Sequence, residues 1–156
     1  RITSVSGASE VFGYGFVTYW AEAKTRLVGV QPEVIERYNV VSAPVAAQMA
    51  LGAAQASGSD IAVSVTGLAG PGGGDAVRPV GTVYLGAARG GTVYVQKLFV
   101  SRPDRALVRA RAAQAALTLA LRLAQGKVPA HTKPLAAAQQ QDEAALAALN
   151  EAFLAE

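Results

Sequence analysis

The chain has 156 residues, of which 51% are hydrophobic and 16% charged, and a formal net charge of +3. This composition excludes a disordered chain and fits one domain with a substantial core. The absence of cysteine excludes disulfides, a thiolate nucleophile and a cysteine metal site. The single histidine, His131, argues against a histidine metal cluster or a Ser-His-Asp triad. We therefore expect neither a metal nor a cofactor.

Membrane and nucleic-acid partners are disfavoured by the distribution of apolar and basic residues. No apolar run reaches the ~18–20 residues that a membrane span needs, and no secretory signal pattern is present. The sequence therefore predicts a soluble cytoplasmic protein. Nucleic-acid binders usually carry a basic stripe, whereas the basic residues here are scattered. The only cluster consists of Arg102, Arg105, Arg109 and Arg111.

The first third of the chain is predicted to be mostly helical. Residues 1–6 read as the end of a helix stopped by Gly7, so the chain is expected to start inside an element. Aromatic and β-branched residues then predict a strand around residues 16–19. Three helices follow, the last with Ser42 as N-cap. They are predicted over residues 22–28, 31–38 and 43–56.

The remaining elements alternate strands and helices. The apolar run at residues 61–65 predicts a strand covered on both faces. Two more strands, at 80–88 and 92–100, are joined by the hairpin signal R-G-G. Asp104 is the predicted N-cap of a long helix over residues 105–125. This order favours a three-layer α/β domain with a mixed sheet.

The C-terminal segment, residues 127–156, contains Pro129 and Pro134 and then becomes rich in Ala, Leu and Gln. We expect a helix over about residues 135–154 with a modest apolar stripe. Three arrangements of this helix are open: it packs on the domain, it pairs with another subunit, or it stays partly free. The predicted boundaries are a domain over residues 1–126 and a helical extension over 127–156.

A Gly-rich loop, residues 67–74, separates the first two of these strands. It reads T-G-L-A-G-P-G-G-G with the preceding threonine, and glycines let backbone N–H groups approach a ligand closely. The loop therefore predicts a site for a phosphate or an oxyanion. The alternative is a tight crossover that needs positive φ. The candidate binding residues are Thr66, Gly67, Ala69, Gly70, Gly72 and Gly73.

Several segments together carry a family resemblance. They are the Gly-rich loop with R-P-V-G-T-V-Y at 78–84, V-S-G-A-S at 5–9, F-V-T-Y-W-A-E-A-K at 16–24, and Phe99 followed by Asp104, Arg105 and Arg109. Over about residues 1–123 the chain resembles the C-terminal domain of the competence/damage-inducible CinA family. Stand-alone members of that family are nicotinamide mononucleotide (NMN) amidohydrolases.

The resemblance implies an α/β/α sandwich with a mixed sheet of about five strands. It also implies deamidation of NMN to nicotinic acid mononucleotide and ammonia by a Ser/Lys mechanism, with Lys24 as the base. Tyr19 is a further catalytic candidate because its hydroxyl could bond Lys24 or the reacting amide. The implied partner is a small nucleotide substrate, and a homo-oligomer is left open.

The chain departs from the family pattern at the nucleophile. The serine motif E-S-C-T-G-G does not occur in these residues. We expect it upstream of Arg1, together with a preceding helix and strand; the alternative is a protein that has lost its nucleophile. That second case would leave a non-catalytic nucleotide-binding or oligomerisation module. Smaller departures are Trp20-Ala21 in place of Ser-Asn, and Pro103 in place of Gly.

Each candidate residue also has an ordinary structural explanation. A lysine acts as a base only when burial or neighbouring cations lower its pKa, and Lys24 could instead be solvated. Tyr19 could be an amphipathic side chain at a strand edge. Arg105 and Arg109 share a helix face, where they could bind a phosphate or form surface ion pairs, for example with Asp104.

Overall fold

Helices cover both faces of a four-stranded sheet in the computed structural model, which describes residues 1–102 and 104–155. The departure predicted at Pro103 lies outside the described residues. The helices are α1 (Ala21–Val28), α2 (Pro32–Tyr38), α3 (Ala43–Ser57), α4 (Arg105–Ala124) and α5 (Glu143–Leu154). The strands are β1 (Ile61–Gly67), β2 (Thr82–Arg89), β3 (Thr92–Phe99) and β4 (Lys133–Ala136).

The central helix α3 is an uncharged helix whose first ten residues are buried, with clear start and stop signals. Its N-cap, Ser42, accepts a hydrogen bond from the backbone N–H of Val45 at 3.4 Å. Gly58 ends the helix in the left-handed region, at φ +66°. These local signals were readable from the sequence, and the predicted helices over 22–28, 31–38 and 43–56 are confirmed within one residue at each end.

The sheet has the order β1-β2-β3-β4, and each strand runs antiparallel to its neighbour. Gly90 and Gly91 form the turn between β2 and β3 with φ +58° and +78°, as the R-G-G signal predicted. The register aligns Thr66 with Tyr84 and Tyr84 with Lys97. A mixed sheet was predicted; all three pairings of the described strands are instead antiparallel.

Three layers result from the two helix faces of this sheet. Helix α3 packs against β1, β2 and β3, and α4 packs against the opposite face of β1 and β2. Gly86 allows the close approach of α3, because a Cβ there would lie 2.5 Å from the carbonyl oxygen of Ala46. The α/β class and its three layers are therefore confirmed.

Two sequence-based predictions of local structure are wrong. Residues 16–19 form no strand, because strand propensity reflects packing on a paired sheet, and these residues have no ladder partner. Residues 135–142 are not helical: β4 pairs with the edge of β3, a short 3₁₀ turn follows, and α5 begins only at Glu143. Pro134 and the free edge of β3 together favour the extended conformation there.

The C-terminal segment packs on the domain, which is one of the three alternatives left open by the sequence. Phe153 of α5 is 1% exposed and makes an edge-to-face contact with Tyr84, with ring centroids 5.9 Å apart. Lys97 Nζ donates a hydrogen bond to the carbonyl oxygen of Phe153 at 2.9 Å. A boundary at residue 126 remains a prediction. None of the helices within the described ranges has the length and apolar character needed to cross a membrane.

Candidate functional site

The β1–β2 connection, residues 68–81, lies at one end of the sheet. Two hydrogen bonds hold its first and last residues together, from Leu68 N–H to the Thr82 carbonyl at 2.9 Å and from Gly81 N–H to the Leu68 carbonyl at 2.8 Å. The connection includes most of the predicted Gly-rich loop, of which residues 71–74 are exposed. We call this end of the sheet the loop end, and the end with the Gly90–Gly91 turn the hairpin end.

Glycine is required at two places in this loop for different reasons. A Cβ at Gly67 would lie 2.8 Å from Val83 Cγ2 and 3.1 Å from the Thr82 carbonyl oxygen, so packing excludes it. Gly70 has φ +83°, which L-residues rarely adopt, and the peptide bond to Pro71 is cis. The alternative of a tight crossover with positive φ is therefore seen in the structure, whereas anion binding by the exposed glycines stays a prediction.

Residues 75–78, in the second half of the connection, are held together by the carboxylate of Asp75. Asp75 Oδ1 accepts hydrogen bonds from the N–H groups of Val77 and Arg78, at 2.8 and 2.6 Å. Its Oδ2 accepts from Arg78 Nη2 at 2.9 Å. The backbone N–H of Arg78 is the main cause that lowers the pKa of the Asp75 carboxyl. The exposed part of the loop is thus held by its own side chains.

Arg105 connects the loop to the start of α4. Its Nη1 donates to the carbonyl oxygen of Gly70 at 3.0 Å, and Asp104 caps the helix by accepting from Leu107 N–H at 3.1 Å. Arg109, one turn further on, is exposed and makes no hydrogen bond or ion pair among the described residues. The structure therefore brings Arg105 to the loop and leaves the Arg109 guanidinium available.

Thr66 and Ala69 occupy the inner side of the site. The Thr66 hydroxyl donates to the carbonyl oxygen of Val40 at 2.6 Å, just before α3 begins, and Ala69 packs against the core beneath α4. The hydrogen of Thr66 is thus committed to the backbone. The same contact places the N-terminus of α3 at the loop end, where α4 also begins. Two helix N-termini with positive partial charge therefore point toward this end.

Lys24 is buried, with 7% of its surface exposed. Its Nζ donates a hydrogen bond to the carbonyl oxygen of Thr18 at 2.5 Å. Burial lowers the pKa of Lys24 below its ordinary value of 10.5, because the charged form loses hydration. This is the change that a general base of the lysine type needs.

Thr18, and not its neighbour Tyr19, provides the group that is hydrogen-bonded to Lys24 in the structure. Tyr19 is 80% exposed, whereas Thr18 is buried and its carbonyl holds Lys24. Thr18 is the residue that sequence reasoning missed, and alternation of buried and exposed positions in a strand-like segment was the signal available. No hydrogen bond within the described ranges joins Lys24 to Arg105 or to the loop. Phe16, in the segment before Lys24, and Leu68, at the start of the loop, pack against the same hydrophobic cluster.

A cavity of about 810 Å³ lies at the hairpin end, and none of the predicted site residues lines it. The carboxyl ends of α3 and α4 border it. Its lining includes Leu51, Gln55, Asp60, Ile61, Arg89 and Ala124. No group of three or more His, Asp or Glu side chains that could hold a metal ion occurs in the described residues. The candidate site thus rests on backbone, lysine and arginine groups.

An α/β/α domain with a Gly-rich loop between β1 and β2 and a buried lysine is the class of protein that these features define. The CinA C-terminal domain family matches residues 1–124, and the chain belongs to that family. The chain is 48% identical over 122 residues to a protein from Enterobacter agglomerans named nicotinamide-nucleotide amidohydrolase PncC, covering 78% of this chain and 74% of that protein.

Other relatives are much longer than this chain. It is 50% identical over 118 residues to a CinA-like protein from Akkermansia muciniphila, which covers 75% of this chain but 28% of that relative. The chain therefore spans less than a third of the CinA-like relatives from Akkermansia muciniphila, Geobacter sp. and Chlorobaculum tepidum.

Solved structures share the fold. The competence/damage inducible protein CihA from Agrobacterium tumefaciens aligns with a TM-score of 0.76 and 40% identity, covering 78% of this chain and 74% of that one. A CinA superfamily protein from Escherichia coli aligns with a TM-score of 0.74 and 34% identity, covering 78% and 70%.

Proposed function

We propose that this chain is an amidohydrolase domain for nicotinamide nucleotides, which converts the carboxamide of NMN to a carboxylate and releases ammonia. The observation that carries the proposal is Lys24, which is buried, has a lowered pKa and lies in the F-V-T-Y-W-A-E-A-K segment. The name of the PncC relative supports the substrate class. The proposed setting is the bacterial cytoplasm and the pyridine nucleotide cycle.

Lys24 acts as the general base in this proposal. Its neutral amine removes the proton from a serine hydroxyl, and the serine oxygen attacks the carboxamide carbon. The protonated Lys24 side chain then passes a proton to the leaving nitrogen as the C–N bond breaks. Ammonia departs, and an ester between the serine and the substrate remains. Water then hydrolyses this ester to the carboxylate and regenerates the serine. The serine is the one expected in E-S-C-T-G-G upstream of Arg1.

The loop end binds the nucleotide in this proposal. Exposed N–H groups at Gly72 and Gly73 and the guanidinium of Arg109 suit a phosphate monoester, and the N-terminus of α4 adds positive partial charge. Arg105 contributes once its bond to the Gly70 carbonyl is exchanged for the ligand. The backbone from Thr66 to Gly70 is the proposed inner wall.

A second candidate is a non-catalytic nucleotide-binding or oligomerisation module. The observation that favours it is that the exposed glycines of the loop and the exposed Arg109 suit a phosphate without any nucleophile. In that case the loop and the arginines bind the nucleotide, but no ester forms and no ammonia is released. Tyr19 then has no part in proton transfer.

Two measurements separate these candidates. Ammonia release from NMN is followed with the full-length gene product, and NMN binding to the 156-residue chain is followed by calorimetry. Turnover supports the amidohydrolase. Binding without turnover supports the module, and a full-length product that neither binds nor hydrolyses NMN contradicts both.

A further inference from the structure

Three buried hydroxyl side chains lie on the face of the sheet that α3 covers. Ser64 and Thr66 belong to β1, and Thr82 begins β2. Thr66 is aligned with Tyr84 and Ser64 with Gly86, so all three hydroxyls share one face by strand alternation. Thr82 is the most buried of them, at 1% exposed.

Only two of the three hydroxyls have a partner. Ser64 donates to the carbonyl oxygen of Ala46 at 2.6 Å, and Thr66 donates to that of Val40 at 2.6 Å. The Thr82 hydroxyl has no hydrogen-bond partner among the described residues. An unpaired buried hydroxyl lowers the stability of a protein, and valine would fill the same space without that cost. A threonine at this position therefore calls for an explanation.

The position of Thr82 suggests the explanation. Its carbonyl oxygen accepts a hydrogen bond from Leu68 N–H, and its own N–H donates to the Pro79 carbonyl at 3.0 Å. The beginning and the end of the β1–β2 connection are therefore both hydrogen-bonded to Thr82. A rearrangement of the connection on ligand binding acts on the backbone that is hydrogen-bonded to Thr82, next to its unpaired hydroxyl.

We propose that Thr82 is a positioning residue for the Gly-rich loop, and that its hydroxyl completes its hydrogen bond only in the anion-bound arrangement of residues 68–81. The inference rests on the proposed function for its natural ligand, a phosphate monoester nucleotide. A bond that forms only in the bound state favours that state and therefore raises affinity. Thr82 acts through the loop and does not touch the reacting amide.

The test compares Thr82→Val with Ser64→Ala, a matched control that removes a satisfied hydroxyl on the same face. Thr82→Val is expected to leave the Tm unchanged or raise it by roughly 2–4 °C, and to weaken NMN binding about tenfold. Ser64→Ala is expected to lower the Tm without changing the affinity. Thr82→Ser keeps the hydroxyl and is expected to restore binding. In the full-length gene product, the affinity loss is expected in KM, with kcat retained.

Two results overturn the proposal. One is NMN affinity of Thr82→Val within twofold of the unaltered chain. The other is a fall in its Tm like that of Ser64→Ala, because the hydroxyl would then have a partner without ligand.

Hydrogen exchange with inorganic phosphate separates this proposal from the proposed function. Phosphate is expected to protect residues 68–81 in the unaltered chain and less so in Thr82→Val. If phosphate has this effect while NMN does not bind, the substrate assignment fails and the role of Thr82 stands. If neither ligand protects the connection, the role of Thr82 fails too.

Discussion

The two ends of the sheet differ in the helix termini that meet there. At the loop end, α3 and α4 begin and Arg105 contacts the Gly70 carbonyl. At the hairpin end, both helices finish beside a cavity of about 810 Å³. Helix direction gives the first end positive and the second end negative partial charge. The direction of α3 and α4, and not the size of a cavity, therefore decides which end of the sheet suits an anion.

The arginines at the two ends serve different purposes. Arg89 at the hairpin end donates to the Leu123 carbonyl at the carboxyl end of α4, where a cation is favourable. Arg105 and Arg109 lie in the first two turns of α4, which hold no acidic residue in the first turn. Cations oppose the helix dipole there and cost stability. Arginines kept at an unfavourable position are typical of a functional site.

The largest expected effect concerns Lys24. Replacing it with methionine keeps the apolar stem and removes the amine, so ammonia release from NMN by the full-length gene product should fall by about 10²–10⁴-fold. Lys127→Met, just beyond α4 at the hairpin end, is the control and should keep full activity. If Lys24→Met retains the activity of the unaltered protein, Lys24 is not the base.

A pair of glycine substitutions compares the two ends directly. Gly67→Ala places a Cβ 2.8 Å from Val83 Cγ2 and should lower the free energy of unfolding by ~1–3 kcal/mol, with weaker NMN binding. Gly90→Ala meets no atom within 4 Å but must keep φ +58°, so it should cost ~1–2 kcal/mol and leave binding unchanged. Urea unfolding and calorimetry measure both. Equal losses of affinity would contradict the distinction between the ends.

A pair of arginine substitutions tests the charge of the two ends. Arg109→Gln removes a cation near the start of α4 without breaking a hydrogen bond among the described residues, and should weaken NMN binding about tenfold while slightly raising the Tm at low salt. Arg122→Gln removes a cation from its last turn and should slightly lower the Tm without affecting binding. Tm shifts of the same sign for both variants would show that the dipole argument does not hold here.

Much of the fold was predictable because its signals are local. The Ser42 cap, the Gly58 stop and the R-G-G turn each fix an element within a few residues of themselves. The apolar run of β1 and the Gly-rich loop after it were read in the same way, although only Ser64 and Thr66 of this strand are buried. These features need no knowledge of distant contacts, and the structure has them where they were predicted.

The failures all depend on distant contacts. A strand at residues 16–19 needs a neighbouring edge, and β4 exists only because β3 offers one. The burial of Lys24 and its bond to Thr18 follow from packing that periodicity does not reveal. The contact between Arg105 and Gly70 joins residues 35 positions apart, so the resemblance pointed to Arg105 while its partner was unknown.

The smallest expected effect is the pH dependence of stability that Lys24 causes. Burial lowers the pKa of Lys24 in the folded chain, whereas the unfolded chain has the ordinary value of 10.5. Between these two values the unfolded state binds more protons, so the free energy of unfolding rises with pH. Below the lowered pKa both states are protonated, and Lys24 contributes no slope.

Urea unfolding between neutral pH and pH 10.5 measures this slope, and the difference between the unaltered chain and Lys24→Met isolates the contribution of Lys24 from that of other titrating groups. The slope should be shallower in Lys24→Met and unchanged in Lys127→Met. If Lys24→Met keeps the whole slope, the lysine titrates at the same pH in both states. It would then lack the lowered pKa that its role as a base requires, and only the proposal that the loop end binds an anion would remain.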